Sequence, residues 1–296
     1  MNRRTKTLQR IFRARILYLL LLPALLYFFI FAYFPTIDGV RISFLDFRFI
    51  GENRFIGFEN YRQAMHTAGF WQAFKNTVVI GLCNVILTAF VPMLLALLLN
   101  EVRRKAWKRI SQTVLYMPHL FSWVIVGGIW IFMLSPNAGL VNVIRDFFGL
   151  ESIYFMSKEA YARAIMIGVN LWKQAGFVTI LYLAAIAGIN PELYLAAMID
   201  GAGGFKRALY ITLPELMSTL RVVLLLNIMG ALRMFNQIWV MRNEVIAPKI
   251  DVLMYYVYER GLVQFKIGYA AAISVLIFVL TLVITLISNR FIKYRV

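Results

Sequence analysis

Two cations lie inside apolar stretches of this sequence, where a charge is expensive. Lys173 stands within residues 170–174 and Arg233 within residues 232–237. A charge in the hydrocarbon of a bilayer costs a few kcal/mol, so each cation needs a partner or a water-filled cavity. Amide and aromatic side chains surround both. We therefore predict a hydrated substrate path with these lining residues: Asn170, Trp172, Lys173, Gln174, Arg233, Phe235, Asn236, Gln237 and, as a further stacking surface, Trp239.

An alternative interpretation of the two cations needs no path. A long basic side chain can run along apolar surface and place its charge among the lipid headgroups. Lys173 and Arg233 are both expected nearer the outer end of their spans, where this is possible. Two polar clusters on the spans that flank one loop favour the cavity, and the alternative stays open.

The composition is typical of a membrane protein. The 296 residues are 61% hydrophobic and 15% charged, with a mean hydropathy of +0.73. A soluble domain is about half apolar and about a quarter charged. The net charge of +17 would suggest nucleic acid in a soluble protein, but the basic residues cluster beside apolar runs, at 3–15, 103–109 and 290–295. That pattern marks the cytoplasmic side of a lipid bilayer, so we expect a bilayer around the chain and no nucleic acid.

Six apolar runs predict an all-α membrane protein with six transmembrane helices. They cover residues 16–34, 74–99, 113–134, 164–187, 220–240 and 268–288. Their basic flanks place both termini in the cytoplasm. The predicted organisation is a basic N-terminal segment at 1–15, a six-span domain at 16–288 with a cytoplasmic loop at 191–214, and a basic tail at 289–296. Pro35 is expected to end the first span.

No residue pattern predicts an enzyme or a cofactor bound by this chain. Cys83 is the single cysteine, and His66 and His119 are too few and too far apart for a metal centre, so His119 is expected to be structural. Residues 201–206 lack the Gly-Lys-Ser/Thr ending of a phosphate loop, and no strand precedes them. The sequence offers no Ser-His-Asp set and no paired carboxylates within the spans. If transport uses ATP, the nucleotide has to bind another subunit.

The loop at 191–214 interrupts the apolar pattern with a helix, a glycine turn and a second helix. The first helix is predicted at 192–199 and the second at 205–212, which is expected to stop near Pro214. The segment resembles the coupling loop of ABC importer permeases, whose signature is Glu-Ala-Ala, three residues, Gly, nine residues and Ile-x-Leu-Pro. Leu195 stands where that family has Glu. Six residues match the signature: Ala196, Ala197, Gly201, Ile211, Leu213 and Pro214.

The resemblance extends over most of the chain. Residues 99–105, 116–119 and 134–136 are similar to the branch of maltose-type carbohydrate permeases that handles oligosaccharide and polysaccharide fragments. It implies the type I ABC importer permease fold, alternating access and a bacterial plasma (inner) membrane location. The implied partners are a second homologous permease chain, two ATPase subunits that bind ATP and Mg, and an extracellular solute-binding protein.

The resemblance also assigns roles to residues. Asn170 and Gln174 align with sugar contacts of the family, and residues 233–237 align loosely with a second set; the basic pair would suit an acidic saccharide. Residues 200–204 would form the tip of the coupling loop, in a groove of an ATPase. The residues assigned to that contact are Leu193, Leu195, Ala196, Ala197, Asp200, Gly201, Ala202, Gly203 and Phe205.

The leucine at position 195 changes what the loop can do. A glutamate there could form a salt bridge to a basic residue of the ATPase groove, and Leu195 cannot. We predict an interface that depends on apolar packing, with Glu192 or Asp200 as substitutes for the missing charge. An amphipathic connector lying on the membrane surface is the alternative for this segment.

Other functions remain open at this point. One is import of a different solute, such as a glycerol phosphate ester, by the same kind of permease. An ion-coupled secondary transporter is expected to show inverted repeats or a carboxylate at mid-depth in the membrane, and the sequence indicates neither. A membrane scaffold would not need Lys173 and Arg233. Uptake after reconstitution with and without an ATPase subunit separates these possibilities.

Overall fold

The computed structural model describes residues 15–291. The predicted basic N-terminal segment, apart from Arg15, and residues 292–296 of the predicted basic tail lie outside the described residues. The described chain is mostly helical and divides into two compact units. The smaller unit comprises the chain up to Ala64 together with Arg260–Val275, and the larger comprises Met65–Glu259 together with the chain from Leu276 onward.

The elements follow one another along the chain in three groups. The first group is α1 (Arg15–Phe28), a π-turn (Phe29–Tyr33), α2 (Phe34–Ile42), β1 (Leu45–Asp46), β2 (Arg54–Phe55) and α3 (Glu59–His66). The second is α4 (Ala68–Asn100), α5 (Lys105–Leu120), α6 (Trp123–Met133), α7 (Leu140–Phe147), a 3-10 turn (Phe155–Ser157) and α8 (Glu159–Ala187). The third is α9 (Pro191–Ile199), α10 (Gly204–Arg207), a π-turn (Ala208–Thr212), α11 (Leu213–Glu215), α12 (Met217–Ala231), α13 (Asn236–Met241), α14 (Ala247–Ile250), α15 (Leu253–Tyr258), a π-turn (Glu259–Val263) and α16 (Ile267–Phe291).

Four helical stretches of the described chain are long and apolar enough to cross a membrane without a break: Ile16–Ile42, Ala68–Asn100, Glu159–Ala187 and Ile267–Ser288. Two further candidates are bent pairs. Helices α5 and α6 meet at 104°, and the helix over Gly204–Glu215 meets α12 at 56°. Six spans are reached only if each bent pair counts as one. The third predicted span, 113–134, is therefore interrupted, and the fifth, 220–240, is interrupted between α12 and α13.

Pro35 does not end a helix, contrary to the sequence prediction, whereas the helical stretch Gly204–Glu215 ends one residue after Pro214, as predicted. Pro35 lies in the first turn of α2, directly after the π-turn Phe29–Tyr33, and the helix continues to Ile42. Pro214 likewise lies in the first turn of α11, directly after the π-turn Ala208–Thr212. A proline costs little in the first turn of a helix because its missing N–H has no intrahelical partner there. Each π-turn resets the hydrogen-bond register just before the proline.

A two-stranded sheet in the smaller unit departs from the all-α prediction. β1 and β2 pair antiparallel, with Leu45 opposite Phe55. The side-chain amide of Asn60 donates to the carbonyl oxygens of Ser43 and Leu45, at 2.9 and 3.0 Å. Strands of two residues are too short to show an alternating pattern, so the sequence gives no sign of them.

The larger unit is built around α4, α8 and α12. Ala89 on α4 is fully buried, and the hydroxyl group of Tyr182 on α8 donates to its carbonyl oxygen at 3.1 Å. Buried apolar side chains from the three helices and the segment before α12 surround this contact: Met93, Ala96, Val178, Ile186, Leu216, Leu220 and Val223. The two unbroken spans among these helices, α4 and α8, form a frame against which the interrupted spans pack.

Two glycines bring the interrupted spans close to their neighbours. At Gly176 on α8, an added Cβ would overlap the main-chain carbonyl group of Leu115 on α5. At Gly127 on α6, it would overlap the side chain of Val240 on α13. Helix α5 therefore lies directly on α8, and α6 lies directly on α13, so both breaks border the same region of the larger unit.

Candidate functional site

A cavity of about 420 Å³ lies between α4, the α5–α6 break, α8, α12 and the segment from Arg233 to Gln237. Its wall combines apolar side chains with amides, a hydroxyl, an imidazole and a guanidinium group. Such a mixture of apolar surface and a few convergent polar groups is typical of a binding site for a small solute. The polar lining residues are Asn84, Thr88, His119, Asn170, Gln174, Asn227, Arg233, Asn236 and Gln237.

Six of the eight residues predicted for the substrate path line this cavity: Asn170, Gln174, Arg233, Phe235, Asn236 and Gln237. Trp172 and Lys173, the other two predicted residues, do not line the cavity. The indole ring of Trp172 lies edge-on to Trp130, with ring centroids 5.7 Å apart. Trp239, the further stacking surface, also lies outside the lining.

Lys173 is buried at the break between α5 and α6, with 6% of its surface exposed. Its ammonium group donates to the main-chain oxygens of Pro118, His119 and Phe121, at 3.3, 2.9 and 2.5 Å. The ring of Trp123 lies 5.4 Å from the same nitrogen. Lys173 therefore neither lines the cavity nor extends to the surface, so the alternative of a charge carried to the headgroups does not describe it.

Arg233 occupies the interruption between α12 and α13. Its main-chain N–H donates to the carbonyl oxygen of Gly230 at 3.0 Å, and its side chain is exposed and lines the cavity. Within residues 15–291, no carboxylate forms an ion pair with it, and neither Asp nor Glu is among the cavity's lining residues. The guanidinium group thus gives the cavity a positive charge that the described lining does not balance.

Three buried polar atoms of the lining have no hydrogen-bond partner among the described residues: Asn84 Oδ1, Asn227 Nδ2 and Gln237 Oε1. A buried polar atom without a partner costs about 1–3 kcal/mol, so water or a solute in the cavity would stabilise each of them. The other end of Gln237 is fixed, because its Nε2 donates to the carbonyl oxygen of Met166 at 2.7 Å. The orphaned atoms therefore add a hydrogen-bonding surface to the cavity.

Asn84, Asn227 and His119 were not among the residues predicted for the path. Asn84 and Thr88 are one helical turn apart within the apolar run of α4, a polar pair that could have indicated a shared face. His119, expected to be structural, also lines the cavity. Its Nδ1 lies 3.0 Å from Oε1 of Gln174, and its ring stacks on Phe177 at 4.5 Å. A lone histidine beside a proline carries no comparable sequence signal.

The predicted coupling loop forms a compact helix, turn and helix. Gly201 has φ +75°, its N–H donates to Met198 O at 3.1 Å, and the N–H of Ala202 donates to Ala197 O at 2.8 Å. This pair of bonds is the Schellman motif, which requires a left-handed residue after the helix and so favours glycine. The hydroxyl groups of Tyr194 and Thr212 lie 2.9 Å apart and join the two arms.

Large apolar side chains of this loop point away from the rest of the described chain. Leu195 is 55% exposed, Phe205 is 82% exposed, and Ile199, which was not predicted as a contact, is 87% exposed. Leu193 is also exposed. A set of apolar side chains this open on a folded loop is typical of a surface that another molecule covers.

Comparison with known proteins agrees with a membrane-spanning chain that contains a solute-sized cavity and an exposed loop. Residues 89–294 match the family described as binding-protein-dependent transport system inner membrane component. The polygalacturonan/rhamnogalacturonan transport system permease protein YteP of Bacillus subtilis is 36% identical, over 99% of this chain and 92% of its own. The trehalose/maltose transport system permease protein MalF of Thermococcus litoralis is 31% identical, over 95% of each chain.

A solved structure extends the match to three dimensions. It is a bacterial alginate ABC transporter in complex with an alginate pentasaccharide-bound periplasmic protein. One of its chains superposes with a TM-score of 0.90 at 35% identity, over 97% of this chain and 99% of that chain. The chain described here thus belongs to the family of binding-protein-dependent transport system inner membrane components and is an ABC importer permease.

Proposed function

We propose that this chain is one of two permease subunits of an ATP-driven importer for an acidic oligosaccharide, and that the cavity is part of the solute path. The observation that carries the proposal is the composition of the cavity wall, in which amides and Arg233 face one space without a carboxylate among the described lining residues. A second homologous permease would complete the path from the other side.

The lining groups suit a sugar. Side-chain amides donate and accept at once, as hydroxyl groups do, and Asn84, Asn170 and Gln174 supply them from two helices. Phe235 adds an apolar ring against which a sugar face can pack. The relatives support the same class, since their names refer to polygalacturonan and rhamnogalacturonan, to trehalose and maltose, and to alginate.

The charge of Arg233 supports an acidic sugar over a neutral one. A guanidinium group binds a carboxylate through two parallel N–H bonds, and a charge-assisted hydrogen bond contributes about 1.5–3 kcal/mol. One solved relative is a bacterial ABC transporter involved in the import of the acidic polysaccharide alginate. A phosphate ester would also meet this arginine favourably, so glycerol phosphate esters are the second candidate class of substrate.

Energy would enter through the loop at 191–214. We place this loop in the cytoplasm because the basic residues at 103–109, around the start of α5, mark that side of the bilayer, and the chain would cross it out and back before residue 191. Ile199 and Phe205 would pack into a groove of an ATPase subunit, and two such subunits would bind ATP and Mg. Closure of the ATPases would then move α8 and α12, the two helices that the loop connects and that wall the cavity.

Reconstitution of the whole transporter tests the proposal. Proteoliposomes with both permeases and the ATPases receive solute-binding protein equally saturated with an acidic oligosaccharide or with its carboxyl-reduced neutral form. We expect uptake only with ATP, and Arg233→Gln should lower uptake of the acidic form by roughly tenfold, the loss of one charge-assisted bond. Arg233→Lys, which keeps the charge, is the matched control. Uptake without ATP, or equal losses for both forms, would contradict the proposal.

The loop is tested separately by ATPase docking. Gly201→Val forces a β-branched residue to φ +75° and should prevent coupling, whereas Leu195→Glu should leave docking unchanged or tighter. A collapse of docking in Leu195→Glu would show that the apolar contact is the one that matters. Normal assembly and transport in Gly201→Val would mean that this turn is not the coupling element.

A further inference from the structure

At the end of α5, the carbonyl oxygen of Pro118 accepts a long bond from the N–H of Phe121, at 3.4 Å, and those of His119 and Phe121 have no main-chain donor among the described residues. The helix ends at Leu120, and Phe121 is extended, with φ −76° and ψ 146°. The last turn of any helix has carbonyl groups with no intrahelical N–H, and together they carry a partial negative charge. Lipid offers no hydrogen-bond donor, so a break within a span needs donors from the protein or from a water-filled cavity.

Lys173 supplies that donor from α8. An ammonium group has three N–H bonds, and here three main-chain oxygens lie within reach, those of Pro118, His119 and Phe121. The side chain is nearly fully buried, and the face of Trp123, the first residue of α6, covers the same nitrogen. The ammonium group and the carbonyl groups are each unfavourable to bury alone, and here they satisfy each other through hydrogen bonds.

The contact fixes a residue of the cavity wall. His119 is held at its main-chain oxygen by Lys173, at its ring nitrogen by Gln174 and at its ring face by Phe177. All three partners lie on α8 within about one helical turn. The orientation of the imidazole ring in the cavity therefore depends on the position of the end of α5.

We infer that Lys173 is a positioning residue that holds the break between α5 and α6 and thereby places His119 and Trp123 on the cavity, without binding the solute. All three of its donors are engaged by main-chain oxygens, which leaves none for a carboxylate. The inference rests on the proposed function only where it speaks of the solute; the role of Lys173 at the break stands on the contacts alone.

The geometric test measures a distance across the break. Spin labels are attached at Val114 on α5 and Phe132 on α6, both exposed, in a Cys83→Ala background of the complete transporter in nanodiscs. Lys173→Met should shift or broaden the distance distribution. Lys158→Met removes an exposed charge from the N-cap of the same helix and should leave the distribution unchanged. An unaltered distribution in Lys173→Met would overturn the inference.

The transport test separates positioning from solute binding. Lys173→Met should lower uptake of the acidic oligosaccharide and of its neutral form by the same factor, roughly tenfold, because the carbonyl groups lose their donors. Arg233→Gln should lower uptake of the acidic form alone. A loss in Lys173→Met that is confined to the acidic form would make Lys173 a solute ligand and overturn the inference.

Two further outcomes remain interpretable. If Lys173→Met does not assemble, Lys173→Arg replaces it; its planar fork cannot direct three N–H bonds around one point, so smaller changes of the same kind are expected. Unaltered distances in Lys173→Arg with a loss of acidic uptake alone would again contradict the inference. If Arg233→Gln changes no uptake while Lys173→Met changes the distance, the proposed path is refuted and the positioning role is supported.

Discussion

The two interruptions of the membrane-spanning helices use their cations in opposite ways. Between α5 and α6, the chain turns by 104° and its free carbonyl groups take all the donors of Lys173. Between α12 and α13, the side chain of Arg233 lines the cavity, and Gln237 of α13 donates a hydrogen bond to the carbonyl oxygen of Met166 on α8. Lys173 stabilises the break between α5 and α6, whereas the break between α12 and α13 exposes Arg233 to the cavity.

The difference shows that residue type alone does not decide the role of a charge in a span. Lys173 and Arg233 both stand among amides and aromatic rings in the sequence, and both were predicted to line the path. They differ in their surroundings: three main-chain oxygens accept from the ammonium of Lys173, whereas the side chain of Arg233 is exposed and lines the cavity. A lysine is also better suited to the buried break, because its ammonium is compact and its three donors rotate together.

The break between α5 and α6 should be more sensitive to substitution than the break between α12 and α13. The largest expected effect is at Gly176, where α8 packs most closely on α5. Gly176→Ala places a methyl group against the main chain of Leu115, which cannot yield without moving α5, so we expect a loss of about 3 kcal/mol or more. The melting temperature and yield of the assembled transporter measure this. Gly168→Ala, on the same helix with open space beside it, is the control. Equal behaviour of the two variants would contradict the close packing of α5 on α8.

The second break should depend on aromatic packing. Phe235 lies 6.4 Å from the ring of Tyr255 and 5.3 Å from the ring of Tyr258. Aromatic pairs contribute about 0.5–1.5 kcal/mol each, so Phe235→Ala should destabilise the transporter by about 2 kcal/mol. Phe235→Leu, which keeps most of the volume, should lose less. A melting temperature unaffected by Phe235→Ala would show that these rings do not hold the break.

The hydrogen bond from Gln237 to Met166, near the second break, should matter less. Gln237→Leu loses the bond to Met166 but also removes an Oε1 atom that has no partner among residues 15–291. The two effects partly cancel, so we expect a loss of at most about 1 kcal/mol. The melting temperatures of Gln237→Leu and Lys173→Met show which substitution destabilises the transporter more. A larger loss of stability in Gln237→Leu than in Lys173→Met would contradict the expectation that the break between α5 and α6 is the more sensitive one.

The smallest effect on stability is expected at Arg233. Its side chain is exposed and forms no ion pair with a described carboxylate, so Arg233→Met should change the melting temperature little while it lowers acidic uptake. A stability change as large as that of Lys173→Met would mean that both cations are structural.

The sequence predicted the architecture better than the interruptions. Apolar runs of about twenty residues are easily recognised because the thickness of a bilayer sets their length, and the helix, turn and helix at 191–214 follow from the glycine turn between two helical segments. The breaks at Phe121 and Arg233 could not be read from hydropathy, because each lies within a stretch, 113–134 or 220–240, that is apolar enough to be taken as one span. Their positions depend on partners that are distant in sequence.

The candidate site was predicted only in part, because some of its residues are also brought together by contacts that are distant in sequence. Six path residues lie together because they occupy two spans on either side of one loop, a relation visible in the chain. Asn84 and His119 come from α4 and α5, and only the packing of these helices on α8 brings them to the cavity. Contacts between helices that are not neighbours in sequence leave no local pattern.

The bond between Lys173 and the end of α5 also has a consequence for biosynthesis. Its oxygen acceptors precede it in the chain by 52 to 55 residues, so a growing polypeptide delivers them to the membrane before the lysine emerges. The insertion machinery then meets a charge whose partners are already in place, which reduces the cost of releasing α8 into lipid. A permuted chain that inserted α8 ahead of α5 would face the full cost of that charge.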